Sequence, residues 1–216
     1  MNNPERLLAE RLLHISAIKL QPESPFIWAS GWNSPIYTDN RRALSYPDVR
    51  NFIKIELCRK ILENFPEANA IAGVATGAIA IGAIAADCLG LPFVYVRSTP
   101  KDHGLENMIE GNLKPGSKVV VVEDLIGTGG SSLNVVETIR NSGGDVVGMA
   151  ALFNFEFPVA VKRFRDENIT LVSLLTYTTM LEVASRIHYI EPEDIRTLTE
   201  WRKDPANWIP EHPDNL

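Results

Sequence analysis

Two acidic residues stand directly ahead of a glycine-rich run in Glu123-Asp124-Leu125-Ile126-Gly127-Thr128-Gly129-Gly130-Ser131-Ser132. Four valines, Val119 to Val122, precede them and read as a strand buried on both faces. The carboxylates are expected to end that strand. Ser131 or Ser132 is placed to cap a helix running through Val135, Val136 and Ile139. Loop amides and a helix N-terminus hold a phosphate well. Carboxylates repel one, so they are expected to face hydroxyls or a metal. A ligand with a phosphate and neighbouring hydroxyls is a sugar phosphate.

Commoner phosphate motifs do not fit. A Walker A loop needs Gly-Lys-Ser/Thr, and no lysine follows Gly129-Gly130. A dinucleotide fingerprint needs a third glycine, and Ser132 stands where it would fall. The acid pair ahead of the loop belongs to neither motif.

The elements that position this stretch alternate. Leu7, Leu8, Leu12 and Ile15 predict a first amphipathic helix. Gln21 to Asn40 is rich in proline and aromatics (Phe26, Trp28, Trp32, Tyr37) and reads as two short strands joined by a turn. This segment, about residues 20–40, is expected to form a small hood, with its aromatics serving as packing or dimer surface. Ser45-Tyr46-Pro47-Asp48 resembles a capping box opening a helix with Val49, Phe52, Ile53, Ile55, Leu57, Ile61 and Leu62 as its apolar face. Strands follow at Ala70–Val74, Phe93–Arg97, Val119–Val122, Asp145–Phe153 and Thr170–Leu175, with a short one at Met108–Glu110. Helices lie between and after them, the last from Pro192 to Arg202. The repetition predicts an α/β fold, a mostly parallel central sheet flanked by helices. Ligands in such sheets bind beyond the strand C-termini. That rule gathers three loops: Ala75-Thr76-Gly77, 98–107 and 125–131. The 98–107 segment, with Pro100 and Gly104 and no apolar period, has the makeup of a mobile lid.

Length and charge bound the partners. A chain of 216 residues suits one domain, 1–216. Its formal net charge of −6 argues against a general nucleic-acid binder. No apolar run reaches the roughly 18 residues of a membrane span. Met1 to Glu10 lacks a signal-peptide core, so the expectation is a cytoplasmic protein. Cys58 and Cys88 lack ligand spacing and are read as buried thiols. His14, His188 and His212 stand in no constellation.

A strand ending in Glu-Asp before Thr-Gly-Gly-Ser resembles the signature of type I phosphoribosyltransferases, which bind phosphoribosyl pyrophosphate (PRPP). Further pieces narrow the resemblance. Ser30-Gly31-Trp32-Asn33-Ser34-Pro35-Ile36-Tyr37-Thr38-Asp39, Arg97, Lys101-Asp102-His103-Gly104, Ile109-Glu110-Gly111 and Glu123 to Ser131 follow the order and spacing of orotate phosphoribosyltransferases. The likeness runs from about Leu7 to Trp201. It implies the type I phosphoribosyltransferase fold and transfer of 5-phosphoribosyl from PRPP to N1 of orotate, in de novo pyrimidine biosynthesis. It implies that Gly127, Thr128, Gly129, Gly130 and Ser131, with Leu125 and Ile126 leading in, cradle the 5-phosphate. Glu123 and Asp124 would accept from the ribose hydroxyls. Ala75-Thr76 would wrap the pyrophosphate, and Arg97 would lie beside it. Lys101 and His103 would reach across a homodimer into the partner's site. Tyr37, Ser34 and Gly127 would hold the orotate. Lys101, His103 and Asp124 are the implied catalytic group. The implied cofactor is Mg²⁺ carried by PRPP, with no direct protein ligand and the acid pair nearby. No nucleic-acid or membrane partner is implied.

Physical logic agrees with these roles. Breaking the bond between ribose C1 and pyrophosphate leaves positive charge on the sugar and extra negative charge on the leaving group. Lys101, Arg97 and a magnesium ion oppose the second charge. A lid would keep water from the cationic sugar. The chain also departs from the family's pattern. Gly127 stands where a hydroxyl residue often bonds orotate, a contact of ~0.5–1.5 kcal/mol. Ala29, Ser98 and Asn154 replace cations found in some members. A cationic partner for the orotate carboxylate is therefore not identified. A phosphoribosyltransferase for another base is the alternative enzyme, and a PRPP-sensing regulator the alternative outside catalysis. The regulator reading sits poorly with an acidic chain that has no spare length for a nucleic-acid module and retains Lys101 and His103.

Overall fold

The computed structural model describes residues 3–28, 30–97 and 108–210. Lys101, His103, Ser98 and the rest of the expected lid lie outside them, as does Ala29.

The chain opens with α1, Pro4–His14, which buries Leu8, Ala9, Leu12 and Leu13. Asn3 caps it by accepting from the Glu5 amide at 3.0 Å, and Pro4 takes the position where no amide is needed. Among the described residues the hood has four short strands rather than the two expected. They are β1 (Ile18–Leu20), β2 (Phe26–Ile27), β3 (Asn33–Ser34) and β4 (Ile36–Thr38). They form two small antiparallel sheets, β1 with β4 and β2 with β3. Pro35 between β3 and β4 separates the pairings.

A 3-10 turn, Asn40–Ser45, then runs into α2, Pro47–Asn64. It consumes Ser45, so the expected capping box does not form. Tyr46 is the N-cap and makes no side-chain cap bond. The apolar face of α2 is narrower than its sequence suggested: Val49, Ile53, Leu57 and Ile61 are buried, while Ile55 and Leu62 are exposed.

The main sheet follows. Its strands are β5 (Ala70–Val74), β6 (Phe93–Val96), β7 (Ile109–Glu110), β8 (Lys118–Ile126), β9 (Asp145–Asn154) and β10 (Leu171–Thr176). Spatial order is β10-β9-β8-β5-β6-β7, parallel throughout except for β7 against β6. The helices between are α3 (Ile79–Leu89), α4 (Gly130–Asn141), α5 (Pro158–Asp166), α6 (Tyr177–Arg186) and α7 (Asp194–Lys203). Val119 to Val122 are wholly buried, as an interior parallel strand covered on both faces requires. Among the described residues no helix is long and apolar enough to cross a membrane. Both cysteines are free; Cys58 is buried but Cys88, near the end of α3, is exposed, against expectation.

One aromatic cluster ties the hood and α7 to the sheet. Trp28 lies 5.3 Å from Phe155 and 5.5 Å from Trp201, ring centre to ring centre. Trp201 also meets Phe155, Phe157 and Tyr177. Its indole Nε1 donates to the Asn33 carbonyl at 3.1 Å, and Trp28 Nε1 donates to the Ile36 carbonyl at 3.0 Å. Aromatic pairs at these spacings contribute beyond their buried area. Of the hood aromatics, Trp28 is therefore a packing group, while Tyr37 is exposed. Trp201→Ala is expected to cost about 3–5 kcal/mol, seen as a fall of roughly 10 °C in the thermal midpoint. Trp201→Phe, which loses chiefly the bond to Asn33, is expected to cost about 1 kcal/mol.

Candidate active site

β5 and β8 are adjacent parallel strands, so their C-terminal ends and following loops come together. A cleft of about 390 Å³ opens there. Its walls are Ala75, Thr76 and Gly77 after β5, Arg97 after β6, Glu123 to Leu125 of β8, Ser131, Asn134 and Val135 of α4, and Thr38 to Arg41 from the hood. The first and third loops gathered from the sequence do meet; the second lies outside the described residues.

The acid pair sits within β8 and does not end it. Leu125 and Ile126 continue in register with Phe153 and Asn154 of the longer β9, and the Ile126 carbonyl accepts from the Phe155 amide at 3.0 Å. Alternation along the strand sends the two side chains to different surroundings. Glu123 is 4% exposed. Its Oε1 accepts from the Asp124 amide at 3.0 Å and its Oε2 from the Ser132 hydroxyl at 2.8 Å. Asp124 is half-buried, and its carboxylate packs directly over Gly77. A Cβ on residue 77 would collide with that carboxylate, so glycine is required there by close approach. The Ala75–Thr76 peptide bond beside it is cis.

Burial holds the Glu123 carboxyl well above the ordinary carboxylate range, at about 8. The neighbouring Asp124 carboxylate raises it further, and the Ser132 hydroxyl opposes both. Burial thus favours the protonated form of Glu123.

The loop after β8 is built to leave amides open. Gly129 is the N-cap of α4 at φ +79°, a left-handed conformation that favours glycine, and the Phe164 ring lies 2.9 Å from where its Cβ would be. Neither Ser131 nor Ser132 caps the helix, contrary to expectation. Ser132 is drawn to Glu123, and the first turn has no side-chain cap among the described residues. Its amides remain for an anion. A Cβ at Gly127 would meet nothing within 4 Å, so that backbone is accessible. Arg163 of α5 donates to the Thr128 carbonyl at 3.0 Å and steadies the turn. Ile126 is wholly buried and contributes only backbone.

Sequence reasoning quoted Thr38-Asp39 in the hood motif but missed Asn40 and Arg41, which follow it. Asn40 is 5% exposed, and its Nδ2 donates to the Asp124 carbonyl at 2.8 Å. Its Oδ1 is buried without a partner among the described residues. Arg41 Nε donates to Asp39 Oδ1 at 2.7 Å. The one available signal was a run of polar residues straight after a strand, which also describes any turn. Arg97 lines the cleft with its guanidinium 3.7 Å from Glu110. All three expected base contacts, Gly127 among them, fall outside the lining. Ser34 is wholly buried, donating to the Ile36 carbonyl at 2.8 Å, and Tyr37 is exposed beside Phe26. Asn154 Oδ1 accepts from the Glu156 amide at 2.8 Å and is a turn residue. Among the described residues no group of three or more His, Cys, Asp or Glu side chains is arranged to hold a metal.

Known proteins give the same picture. The model of the phosphoribosyl transferase domain family matches residues 51–170. An orotate phosphoribosyltransferase of Bacteroides thetaiotaomicron is 64% identical over 208 residues, covering 96% of this chain and 98% of that protein. One of Phocaeicola vulgatus is 60% identical over the same coverage. The crystal structure of orotate phosphoribosyltransferase from Aeropyrum pernix has a TM-score of 0.75 and 29% identity, covering 85% of this chain and 99% of that one.

The raised Glu123 pKa has a signed consequence. An unfolded glutamate titrates near 4.5, while the folded one keeps its proton up to about pH 8. Folded protein binds more protons across that window, so stability falls as pH rises through it and levels off above. Glu123→Gln removes the titration. Thermal midpoints of variant and wild type are expected to diverge in the variant's favour between pH 5 and about 8. Parallel curves would mean that Glu123 ionises normally.

Proposed function

The chain belongs to the orotate phosphoribosyltransferase family, and from that premise we infer that it transfers the 5-phosphoribosyl group of PRPP to N1 of orotate, releasing orotidine 5-phosphate and pyrophosphate. The observation that carries the reading is one cleft holding an uncapped helix N-terminus, a half-buried carboxylate and an arginine at the end of the next strand.

In the proposed arrangement, the 5-phosphate lies on the amides of Gly127 to Ser131 and on the dipole of α4. Asp124 accepts from a ribose hydroxyl. Glu123 acts behind it, holding strand and helix in place. Ala75, Thr76 and Gly77 offer backbone to the pyrophosphate, and Arg97 faces its charge. Lys101 and His103 act on the same leaving group from the partner protomer of a homodimer. The C1–oxygen bond breaks toward this cationic side, and N1 of the base attacks from the opposite face. Asp124 opposes the positive charge that develops on the sugar.

The residues present fit a metal that arrives with its substrate: Asp124 is the one open carboxylate of the pair. Magnesium would neutralise pyrophosphate oxygens and make them a better leaving group. The proposed unit is one domain spanning 1–216, working in the cytoplasm on small-molecule substrates.

Orotate absorbance followed with PRPP and magnesium tests the reaction. Loss of absorbance is expected, with none in excess chelator; no loss in the complete mixture would end this reading. Lys101→Ala is expected to lower kcat by about 10²-fold or more, and full activity would remove Lys101 from the site. For the shared site, inactive Lys101→Ala and Asp124→Asn proteins are mixed and allowed to exchange subunits. Partial recovery of activity is expected, since one hybrid site keeps both residues. No recovery despite exchange would place Lys101 and Asp124 of one site on one chain.

A further inference from the structure

The family reading leaves the carboxylate of the base without a cation, because Asn154 is engaged in its own turn and Gly127 has no side chain. The cleft supplies one from an unexpected place. Among its described lining residues the cations are Arg97 and Arg41. Arg97 follows β6, beyond β5, on the side where the pyrophosphate loop lies, and Glu110 already faces it. Arg41 comes from the hood, and the residue before it is tied to β8 by the bond from Asn40 to the Asp124 carbonyl. The two cations therefore stand on different walls. In-line displacement at C1 puts leaving group and entering base on opposite faces of the sugar.

Resting on the orotate reading, we propose that Arg41 is the specificity-determining residue that binds the carboxylate of the incoming base. Its guanidinium is prepared for this. Asp39 takes the Nε proton at 2.7 Å and orients the plane. Nη1 and Nη2 have no partner among the described residues and present a fork that matches a carboxylate. Asp39, and after it Asp124, favour the charged form. The side chain is largely exposed in the cleft mouth, so it meets the ligand without rearranging the core. Uracil, the same ring without the carboxylate, would gain nothing from it.

The test measures three constants in wild type, Arg41→Ala and Arg41→Lys: KM for orotate, KM for PRPP, and the inhibition constant of uracil against orotate. Arg41→Ala is expected to raise the orotate KM by about 10- to 100-fold. The PRPP KM and the uracil constant are expected to stay within about twofold. Arg41→Lys, with charge but no fork, is expected to fall between. An unchanged orotate KM would overturn the proposal. So would a PRPP KM that rises in step, which would make Arg41 a phosphate ligand, or a uracil constant that rises in step, which would make its effect a general loosening of the hood. A wild type inert toward orotate would overturn the base assignment and this proposal with it; an active wild type with an indifferent Arg41→Ala would overturn the proposal alone.

Discussion

A carboxyl group buried at the end of β8 is the constraint on which the site depends. An unpartnered buried carboxylate is costly enough that it either finds donors or takes a proton. Glu123 does both. Its donors are the next residue's amide and the hydroxyl of Ser132, the third residue of α4. Strand end and helix start are thereby clamped together, and the loop of 127–129 spans a set gap. The proton has a second effect. PRPP is a polyanion, and a site with two ionised carboxylates would repel it twice. With Glu123 neutral, the proposed site would turn one carboxylate, Asp124, toward the ribose hydroxyls.

The sheet builds only half of the cleft. The other wall is the hood, whose short two-stranded sheets would not be stable alone. It is held from outside by bonds between residues far apart in the chain: Asn40 to the Asp124 carbonyl and Trp201 to the Asn33 carbonyl. The Trp201 ring packs between the hood and the sheet end. A helix near the end of the chain thus supports a wall built near its beginning. This is why a substitution in α7 is expected to be felt by the protein as a whole.

How legible this was depended on range. The alternation of strand and helix, the buried valine strand and the glycine loop are local patterns, and each stood in the sequence with bounds close to those observed. The errors were also local rules, overridden by distant partners. Serines looked like helix caps, but Ser132 serves Glu123 and Gly129 turns the chain. An acid pair looked like a strand end, but pairing with β9 carries β8 two residues further. Ile55 and Leu62 looked like core, because periodicity does not say how wide the covered face of α2 is. Asn40 and Arg41 carried no local signal of a site, since only the folded hood brings them to β8.

The same distinction bears on how the base is recognised. A hydroxyl at position 127 would be read from the loop as a neutral hydrogen bond, about 0.5–1.5 kcal/mol, whereas one to a charged group contributes about 1.5–3 kcal/mol. A single oriented arginine therefore outweighs the hydroxyl that Gly127 lacks. Orientation decides how much of that is realised, because a free arginine side chain carries about 2 kcal/mol of rotamer entropy. Asp39, two residues earlier, already holds the Arg41 Nε, so much of that freedom is gone before the ligand arrives. Glycine at 127 would then have an advantage of its own: with no side chain over the loop, its amide would stay open to the proposed sugar phosphate. In the proposed arrangement loop and hood divide the work, one binding what all PRPP enzymes share and the other reading the charge that sets orotate apart from uracil.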